Sequence, residues 1–392
     1  MPVHRSVIVL SVTQIIAWGA MFMFVSVTAP AMATDLGLAP SSIYLGPTGM
    51  LLAMALGSPP LGSYYARLGA RPVLACGSAL AAPGLWLLAV AEGPLAYFTA
   101  WAILGLAGAQ TLTTSAHVFL TEVAGEGARR AIGAQMLAMA LAPSVSWPMT
   151  VYCEATLGWR GTYVLYGAAM LLVCAPLHLW ALPRTRLAAT APKAAAAGGK
   201  AGHSKRHRLQ VVALITAAVA LNGFVIWGFQ LVLIDLFRSF AVADYLAVGF
   251  GSAIGFIQLS ARLFDFLGGN RWDGVTTGLV AAALMPIALF MLIIGGGREG
   301  MIVLFLVLYG LSSGAMSVSR ATMPLAFFTP AQYATFMARL GLPLNLAFAA
   351  APPFFSFVLA EAGNRLALAV ALGCSLGTLA SMVLLSRMRT AV

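Results

Sequence analysis

The sequence predicts an all-α membrane protein in which twelve transmembrane helices form two bundles of six. Of its 392 residues, 61% are hydrophobic and only 8% are charged, against roughly 25% charged residues in ordinary globular domains. The mean hydropathy is +0.92, and long apolar runs recur along the whole chain. A soluble fold cannot bury that much apolar surface, so the composition excludes a nucleic-acid-binding domain, a disulfide scaffold and an ordinary cytosolic enzyme.

Twelve apolar runs are long enough to cross a membrane, which takes about 20 mostly apolar residues. Short polar or Gly/Pro turns separate most of them. The first run has no small-residue cleavage site followed by a soluble domain, so we expect a span there and not a cleaved signal. The runs cover residues 6–33, 41–65, 71–91, 95–121, 129–153, 161–182, 209–234, 243–268, 274–296, 300–328, 332–360 and 365–386.

The connection at 183–208 differs from the others. It holds seven Lys and Arg, no acid, and a middle rich in Ala and Gly. We interpret it as a basic cytoplasmic linker, with binding to membrane lipid as the alternative. It divides the chain into an N-terminal six-helix bundle at 1–182 and a C-terminal six-helix bundle at 209–392.

The charges predict how the chain lies in the membrane. The net charge is +11, from 22 Lys and Arg against 11 Asp and Glu. If the N-terminus is cytoplasmic, 15 of the cations lie in cytoplasmic connections and tails and 4 in outer ones. The positive-inside rule then predicts a multi-pass protein of the inner (plasma) membrane with both termini in the cytoplasm. The remaining three, Arg262, Arg320 and Arg339, lie within apolar runs.

The sequence predicts neither a metal site nor a bound cofactor. The four cysteines are widely spaced, and none forms a Cys-x-x-Cys pair, so no disulfide framework is expected either. No nucleotide-binding loop is present in the sequence, so ATP is not the expected energy source.

The turn after the second run carries the most specific motif. Residues 62–71 read Gly-Ser-Tyr-Tyr-Ala-Arg-Leu-Gly-Ala-Arg. The stretch resembles the G-x-x-x-D-R-x-G-x-R signature of the major facilitator superfamily, with matches at Gly62, Arg67, Gly69 and Arg71 and with Ala66 in place of the usual Asp. Residues 267–271 resemble a degraded copy in the second half. The resemblance implies the major facilitator fold and a secondary transporter that works as a single chain.

Further motifs narrow the resemblance. Gly-Trp-Arg at 158–160, before the sixth run, is similar to a motif of many facilitators. Trp18-Gly19 and the arginine of the eighth run, Arg262, resemble the group that contains monocarboxylate porters and oxalate/formate exchangers. In that group the eighth-span arginine is implied to bind the substrate carboxylate.

Arg262 is the strongest candidate on physical grounds as well. A charge near the bilayer centre costs about 2.5–3.5 kcal/mol even on permissive scales, so it must face protein, water or a partner. Helical spacing places Gly255, Gln258, Arg262 and Asp265 on one face. The guanidinium could hold a carboxylate through two parallel hydrogen bonds. The alternative is an arginine near the inner end of the span that pairs with Asp265 or extends to the interface.

Other polar residues in the runs are further candidates for substrate binding. Arg320 in the tenth run shares a face with Ser313 and Ser317, and a second cation favours an anionic substrate; the alternative role is a structural clamp. The resemblance implies that the first, fourth, seventh and tenth spans line the cavity, which adds Gln14, Trp18 and Asn222.

Two titratable residues are candidates for proton coupling. Asp265 is the one acid near the central polar stripe, and its protonation would release Arg262 for the anion. The alternative is an acid that belongs to the cytoplasmic end of the span. His117 lies in the fourth run, and the unperturbed pKa of a histidine, about 6.5, suits proton transfer, although a buried His is more often simply hydrogen-bonded. His178, near a span end, is expected at an interface.

The sequence therefore predicts a secondary active transporter of a small organic anion, a monocarboxylate, moved together with protons by alternating access. Its expected partners are the anion, protons and the lipid bilayer, without nucleic acid. The main alternative is a proton-driven exporter of a hydrophobic drug or metabolite. A membrane-embedded enzyme is disfavoured because the 11 acids are scattered, and a receptor-like relative that binds without transport is the remaining alternative.

Overall fold

The computed structural model describes residues 2–184, 205–240, 244–269 and 271–390. Within these ranges every regular element is helical, so the predicted all-α class is confirmed. The described residues pack as two compact units. One is drawn from Met1–Lys193 and Pro330–Leu346, and the other from Ala194–Thr329 and Ala347–Val392. Most of the basic linker expected at 183–208 lies outside the described residues, and the domain boundaries stay a prediction.

The first unit begins with nine α-helices, which short turns connect. They are α1 (Pro2–Trp18), α2 (Val25–Leu36), α3 (Pro40–Ile43), α4 (Leu45–Leu68), α5 (Ala70–Ala89), α6 (Pro94–Thr111), α7 (Thr113–Ala124), α8 (Ala128–Met139) and α9 (Ala142–Ala169). A 3₁₀ turn occupies Gly125–Gly127, and π-helical turns occupy Gly19–Met23, Met170–Cys174 and Leu177–Ala181.

The rest of the described chain forms five longer helices. They are α10 (Lys205–Arg238), α11 (Asp244–Gly268), α12 (Gly274–Gly295), α13 (Glu299–Thr322) and α14 (Pro330–Thr390), with a 3₁₀ turn at Met323–Ala326. Aromatic side chains form much of the second unit's core. Phe229, Phe237, Phe305 and Phe355 are fully buried there, and Tyr309 is 2% exposed.

Seven helical segments in the described residues are long and apolar enough to cross a membrane. Two of them, Pro94–Ala181 and Gln332–Met388, hold 88 and 57 residues and so contain more than one predicted span. Gly158 (φ 67°, ψ 171°) interrupts α9 and Gly363 (φ 79°, ψ 178°) interrupts α14, close to the predicted boundaries between runs. The structure is thus consistent with twelve spans.

Two predicted spans are less regular than a single continuous helix. The run 6–33 contains the π-helical turn at Gly19–Met23, and the run 95–121 breaks at Leu112, where the backbone is extended (φ −80°, ψ −169°). The break removes the helical bond to the Thr111 carbonyl, because the Ser115 amide donates to Leu112 instead (3.1 Å). A side chain must therefore satisfy that carbonyl.

Candidate functional site

Two glycines bring α11 and α13 close together in the second unit. Gly310 and Gly314 are four residues apart and face α11. A Cβ at Gly314 would lie 2.5 Å from the Gln258 carbonyl oxygen, and one at Gly310 would lie 2.7 Å from Ile257. Small residues at this spacing are a common device for close packing of membrane helices. The close approach lets side chains on α11 reach the polar face of α13.

Two hydrogen bonds cross this helix pair in register. Gln258 donates from Nε2 to Ser313 Oγ (3.0 Å), and Arg262 donates from Nε to Ser317 Oγ (3.1 Å). The hydroxyls of both serines donate to their own helix, to the carbonyls of residues 310 (3.1 Å) and 314 (2.6 Å). Each serine oxygen is therefore oriented as an acceptor for the residue on α11. Gln258 and Arg262 lie on the same side of α11, as their spacing predicts.

The same two serines line a small pocket. Its volume is about 40 Å³, which accommodates a few water molecules or a group of similar size, such as a carboxylate. Helices α10, α13 and α14 contribute its walls. The lining residues are Val219, Asn222, Gly223, Ile226, Trp227, Ser313, Met316, Ser317, Arg320 and Phe348.

The pocket is rich in hydrogen-bond donors and holds a cation. Arg320 supplies a guanidinium, and none of the described lining residues is acidic. Asn222 is 3% exposed, and within the described chain its Nδ2 has no hydrogen-bond partner. A buried donor without a partner costs about 1–3 kcal/mol. An anion in the pocket would contact both a positive charge and an unsatisfied donor.

Aromatic residues form one wall of this pocket. Trp227 stacks on Phe348, with ring centroids 4.7 Å apart and an angle of 18° between planes. The guanidinium carbon of Arg320 lies 5.8 Å from the Phe348 centroid, which is within cation–π range. Gly223 lies against the Phe348 ring, where a larger residue would displace it. The aromatic pair thus supports the position of Arg320.

Asp265 lies one turn beyond Arg262 on α11 and is 6% exposed. Its Oδ1 accepts hydrogen bonds from Trp272 Nε1 (3.2 Å) and Thr277 Oγ1 (2.5 Å). The carboxylate therefore joins α11 to the turn that follows it and to the start of α12. Asp265 is not among the residues that line the pocket.

The first unit holds the other predicted binding residues. Gln14 Nε2 donates to the Thr111 carbonyl (2.6 Å), which the break at Leu112 leaves without its helical partner. Trp18 Nε1 donates to Thr113 Oγ1 (2.8 Å), immediately beyond the break. These two contacts stabilise the interrupted fourth span. A role for Gln14 and Trp18 in substrate binding stays a prediction.

His117 is also buried in the first unit and is 2% exposed. One ring nitrogen, Nε2, lies 3.1 Å from Gln135 Oε1 on α8. The contact connects the fourth and fifth predicted spans, and a proton-coupling role for His117 stays a prediction.

The signature-like turn joins α4 to α5 at Gly69, which has φ 79° and ψ 167°. The Arg71 side chain donates from Nε to the His178 carbonyl (3.4 Å), whereas Arg67 is exposed. The carboxylate oxygens of Glu122 lie 3.0 and 3.2 Å from the Ala70 amide at the start of α5. In a chain that has Ala66 instead of Asp, a carboxylate from α7 therefore binds the beginning of this helix.

His178 lies near a span end, and its side chain is 1% exposed, within a buried polar cluster. Its Nδ1 lies 3.0 Å from Ser78 Oγ and its Nε2 lies 2.9 Å from Thr13 Oγ1. Ser78 in turn bonds Thr111 Oγ1 (2.7 Å). The sequence signal for this cluster is weak, because Thr13 and Thr111 are each one of several polar residues in their apolar runs.

Comparison with known proteins yields a family and a fold. The model of the Major Facilitator Superfamily matches residues 10–293. The crystal structure of the human organic anion transporter MFSD10 (TETRAN) superposes with a TM-score of 0.72 at 18% identity, covering 98% of this chain and 100% of that one. The proton:xylose symporter XylE, bound to 6-bromo-6-deoxy-D-glucose, gives 0.71 at 15% identity, with 96% and 94% covered. At these identities the likeness concerns the fold alone. No curated protein sequence matches the chain.

Proposed function

The chain belongs to the major facilitator superfamily, and from that premise we propose that this multi-pass membrane transporter carries a small organic anion, a monocarboxylate, together with protons. The observation that carries the proposal is the pocket of the second unit. It combines the Arg320 guanidinium with the unpaired Nδ2 of Asn222, and none of its described lining residues is acidic.

In this proposal Arg320 and Asn222 bind the carboxylate directly. A guanidinium presents two parallel N–H groups that match the two oxygens of a carboxylate. Arg262 acts through Ser317, since its Nε bonds the hydroxyl oxygen that borders the pocket (3.1 Å). Gln258 has the same relation to Ser313. Arg262 and Gln258 are thus positioning residues in this pocket.

Apolar side chains in the lining of the pocket favour an apolar remainder of the substrate. Trp227, Met316 and Phe348 are among the lining residues, so a carboxylate held at Arg320 has its substituent near aromatic and thioether groups. The alternative of exporting a hydrophobic drug requires a larger apolar chamber. The small donor-rich pocket favours the organic anion instead.

We assign proton coupling to Asp265, with His117 as the second candidate. Asp265 is a buried carboxylate one turn from Arg262, so its protonation changes the charge beside the positioning arginine. Asp265→Asn is expected to abolish accumulation driven by a pH gradient while exchange of labelled for unlabelled substrate continues. Loss of gradient-driven uptake in His117→Gln, with retention in Asp265→Asn, would assign the proton to His117.

We also propose that the protein lies in the inner membrane with both termini cytoplasmic, because the cations favour that orientation. A fluorescent-protein fusion that folds only in the cytoplasm should fluoresce at either terminus. A C-terminal fusion protein that still transports substrate but does not fluoresce would contradict this orientation.

A panel of labelled monocarboxylates, dicarboxylates and hydrophobic cations tests the substrate class on purified protein. Monocarboxylates with an apolar substituent should raise the melting temperature of the wild type, and Arg320→Gln should remove that shift. Stabilisation by hydrophobic cations alone, undiminished in Arg320→Gln, would contradict the proposal and favour drug export.

A further inference from the structure

An open groove lies in the first unit, away from the pocket of the second unit. It runs between the start of α1 and the end of the sixth predicted span, and its volume is about 360 Å³. Arg5 contributes from α1, and Leu172, Pro176, Leu177, Trp180 and Ala181 contribute from the sixth span.

The sequence explains why a groove forms at this place. Pro176 has no amide hydrogen and cannot donate a helical hydrogen bond. The chain on both sides of it is π-helical, at Met170–Cys174 and Leu177–Ala181. A π-helical turn adds a residue to each hydrogen-bonded ring, and such turns are frequent at functional sites. The sixth span is therefore irregular along the whole length of the groove.

The groove is apolar along its length and positively charged at one end. Trp180 is 77% exposed and Leu172 is 70% exposed, and in a multi-pass membrane protein exposed apolar side chains contact lipid. A tryptophan at a span end is typical of the level of the lipid head groups. Leu172 is eight residues earlier, roughly 12 Å deeper along the helix. The groove thus extends from the head-group level into the hydrocarbon.

The end of the groove at the head-group level is positively charged. Arg5 is exposed and lies in the first turns of α1, where the helix dipole also favours an anion. Arg184, three residues beyond Ala181, is exposed as well. None of the described residues that line the groove is acidic. One end therefore suits a phosphate and the remainder suits an acyl chain.

We propose that this groove is a binding site for an anionic phospholipid. The phosphate contacts Arg5, and one acyl chain lies along the π-helical segment against Leu177 and Leu172. The ligand is recognised by the combination of a basic head-group contact and an apolar groove, which a zwitterionic lipid matches only in part. The site does not depend on the substrate proposed for the second unit.

Trp180 provides a probe inside the groove. The protein is reconstituted into phosphatidylcholine vesicles. One series contains a minor fraction of phosphatidylglycerol brominated on its acyl chains, and the other contains the same fraction of brominated phosphatidylcholine. Bromine quenches tryptophan fluorescence on contact. The Trp180 contribution is the difference between the wild type and Trp180→Phe. Brominated phosphatidylglycerol should reach half-maximal quenching at about a fivefold lower mole fraction, because one basic residue near a membrane surface contributes about 1 kcal/mol.

Two variants distinguish a specific contact from a general effect of surface charge. Arg5→Gln should remove the preference for phosphatidylglycerol and leave quenching by phosphatidylcholine. Arg130→Gln removes the same charge from an exposed residue at the start of α8 and should keep the preference. Equal quenching by both lipids in the wild type, or equal loss of preference in both variants, would overturn the proposal.

Discussion

Asn222 is a buried amide whose nitrogen has no partner among the described residues. An unpaired buried donor costs stability, and its place in the lining of a pocket favours a substrate that satisfies it. Asn222→Leu keeps a similar size and removes the donor. We expect Asn222→Leu to lower the free energy of unfolding less than the loss of a paired buried amide would and the stabilisation by carboxylates to fall, both read from thermal unfolding with and without ligand.

Gln258 is the matched control for that prediction, because its amide is paired with Ser313 (3.0 Å). Gln258→Leu removes a made hydrogen bond and should lower the free energy of unfolding by about 1 kcal/mol. If both substitutions lower stability equally, the Asn222 amide is paired in the protein and the reasoning from its unsatisfied donor fails.

Functional candidates could be predicted from the sequence where burial of the side chain in a membrane costs free energy. A charge within an apolar run is conspicuous, so Arg262 and Arg320 could be selected from the sequence. Trp227 and Phe348 could not, because an aromatic residue in an apolar run is indistinguishable from a packing residue. The polar cluster around His178 could not be predicted either, because its other members lie on three other helices and only the fold brings them together.

At the scale of helices, the contact between α11 and α13 depends on Gly314. A Cβ there would lie 2.5 Å from a carbonyl oxygen and 2.9 Å from Ala261 Cβ, so the helices must separate. Gly314→Ala is expected to lower the free energy of unfolding by about 1–3 kcal/mol. It should also weaken carboxylate binding, because the hydrogen bond from Arg262 to Ser317 lengthens. Thermal unfolding and ligand titration measure the two effects.

Gly300 on the same helix provides the control, because a Cβ added there would meet nothing within 4 Å. Gly300→Ala should leave binding unchanged. If Gly314→Ala also binds normally, the close approach of α11 is not needed for the pocket.

Two other glycines separate helices by their backbone conformation alone. Gly158 and Gly363 have positive φ with extended ψ, a region open almost only to glycine, and a Cβ at either would meet nothing within 4 Å. Alanine at either position should lower the free energy of unfolding by about 1–3 kcal/mol. Gly373→Ala, at a helical position with the same open space, should not. Equal melting temperatures for all three variants would refute the strain argument.

Helices were predictable as apolar runs but their interruptions were not. Length and hydropathy identify a span regardless of its internal geometry, so the run 95–121 was expected to be continuous. The break at Leu112 depends on tertiary partners. Gln14 satisfies the carbonyl freed at Thr111, and Ser78 bonds its hydroxyl. Those partners are 97 and 33 residues away in the chain, beyond the reach of local patterns.

For the molecule as a whole, the fold was largely predictable and the substrate was not. Composition and the spacing of apolar runs constrain a membrane protein strongly, because every backbone polar group in lipid must be satisfied within a helix or a closed sheet. Substrate choice depends on a few side chains such as Arg320 and Asn222, whose juxtaposition requires the packing of α10 against α13. The two arginines of the second unit indicated an anion but not which one.

The initial rate of uptake of a labelled monocarboxylate into proteoliposomes tests the central claim most directly. The account predicts saturable uptake by the wild type, a loss of at least about tenfold in Arg320→Gln, and a normal rate in Arg298→Gln, which removes an exposed arginine outside the pocket. A tenfold loss corresponds to about 1.4 kcal/mol, close to the lower end of the range of a hydrogen bond to a charged group. Equal uptake by the wild type and Arg320→Gln would contradict the claim that this guanidinium binds the transported anion.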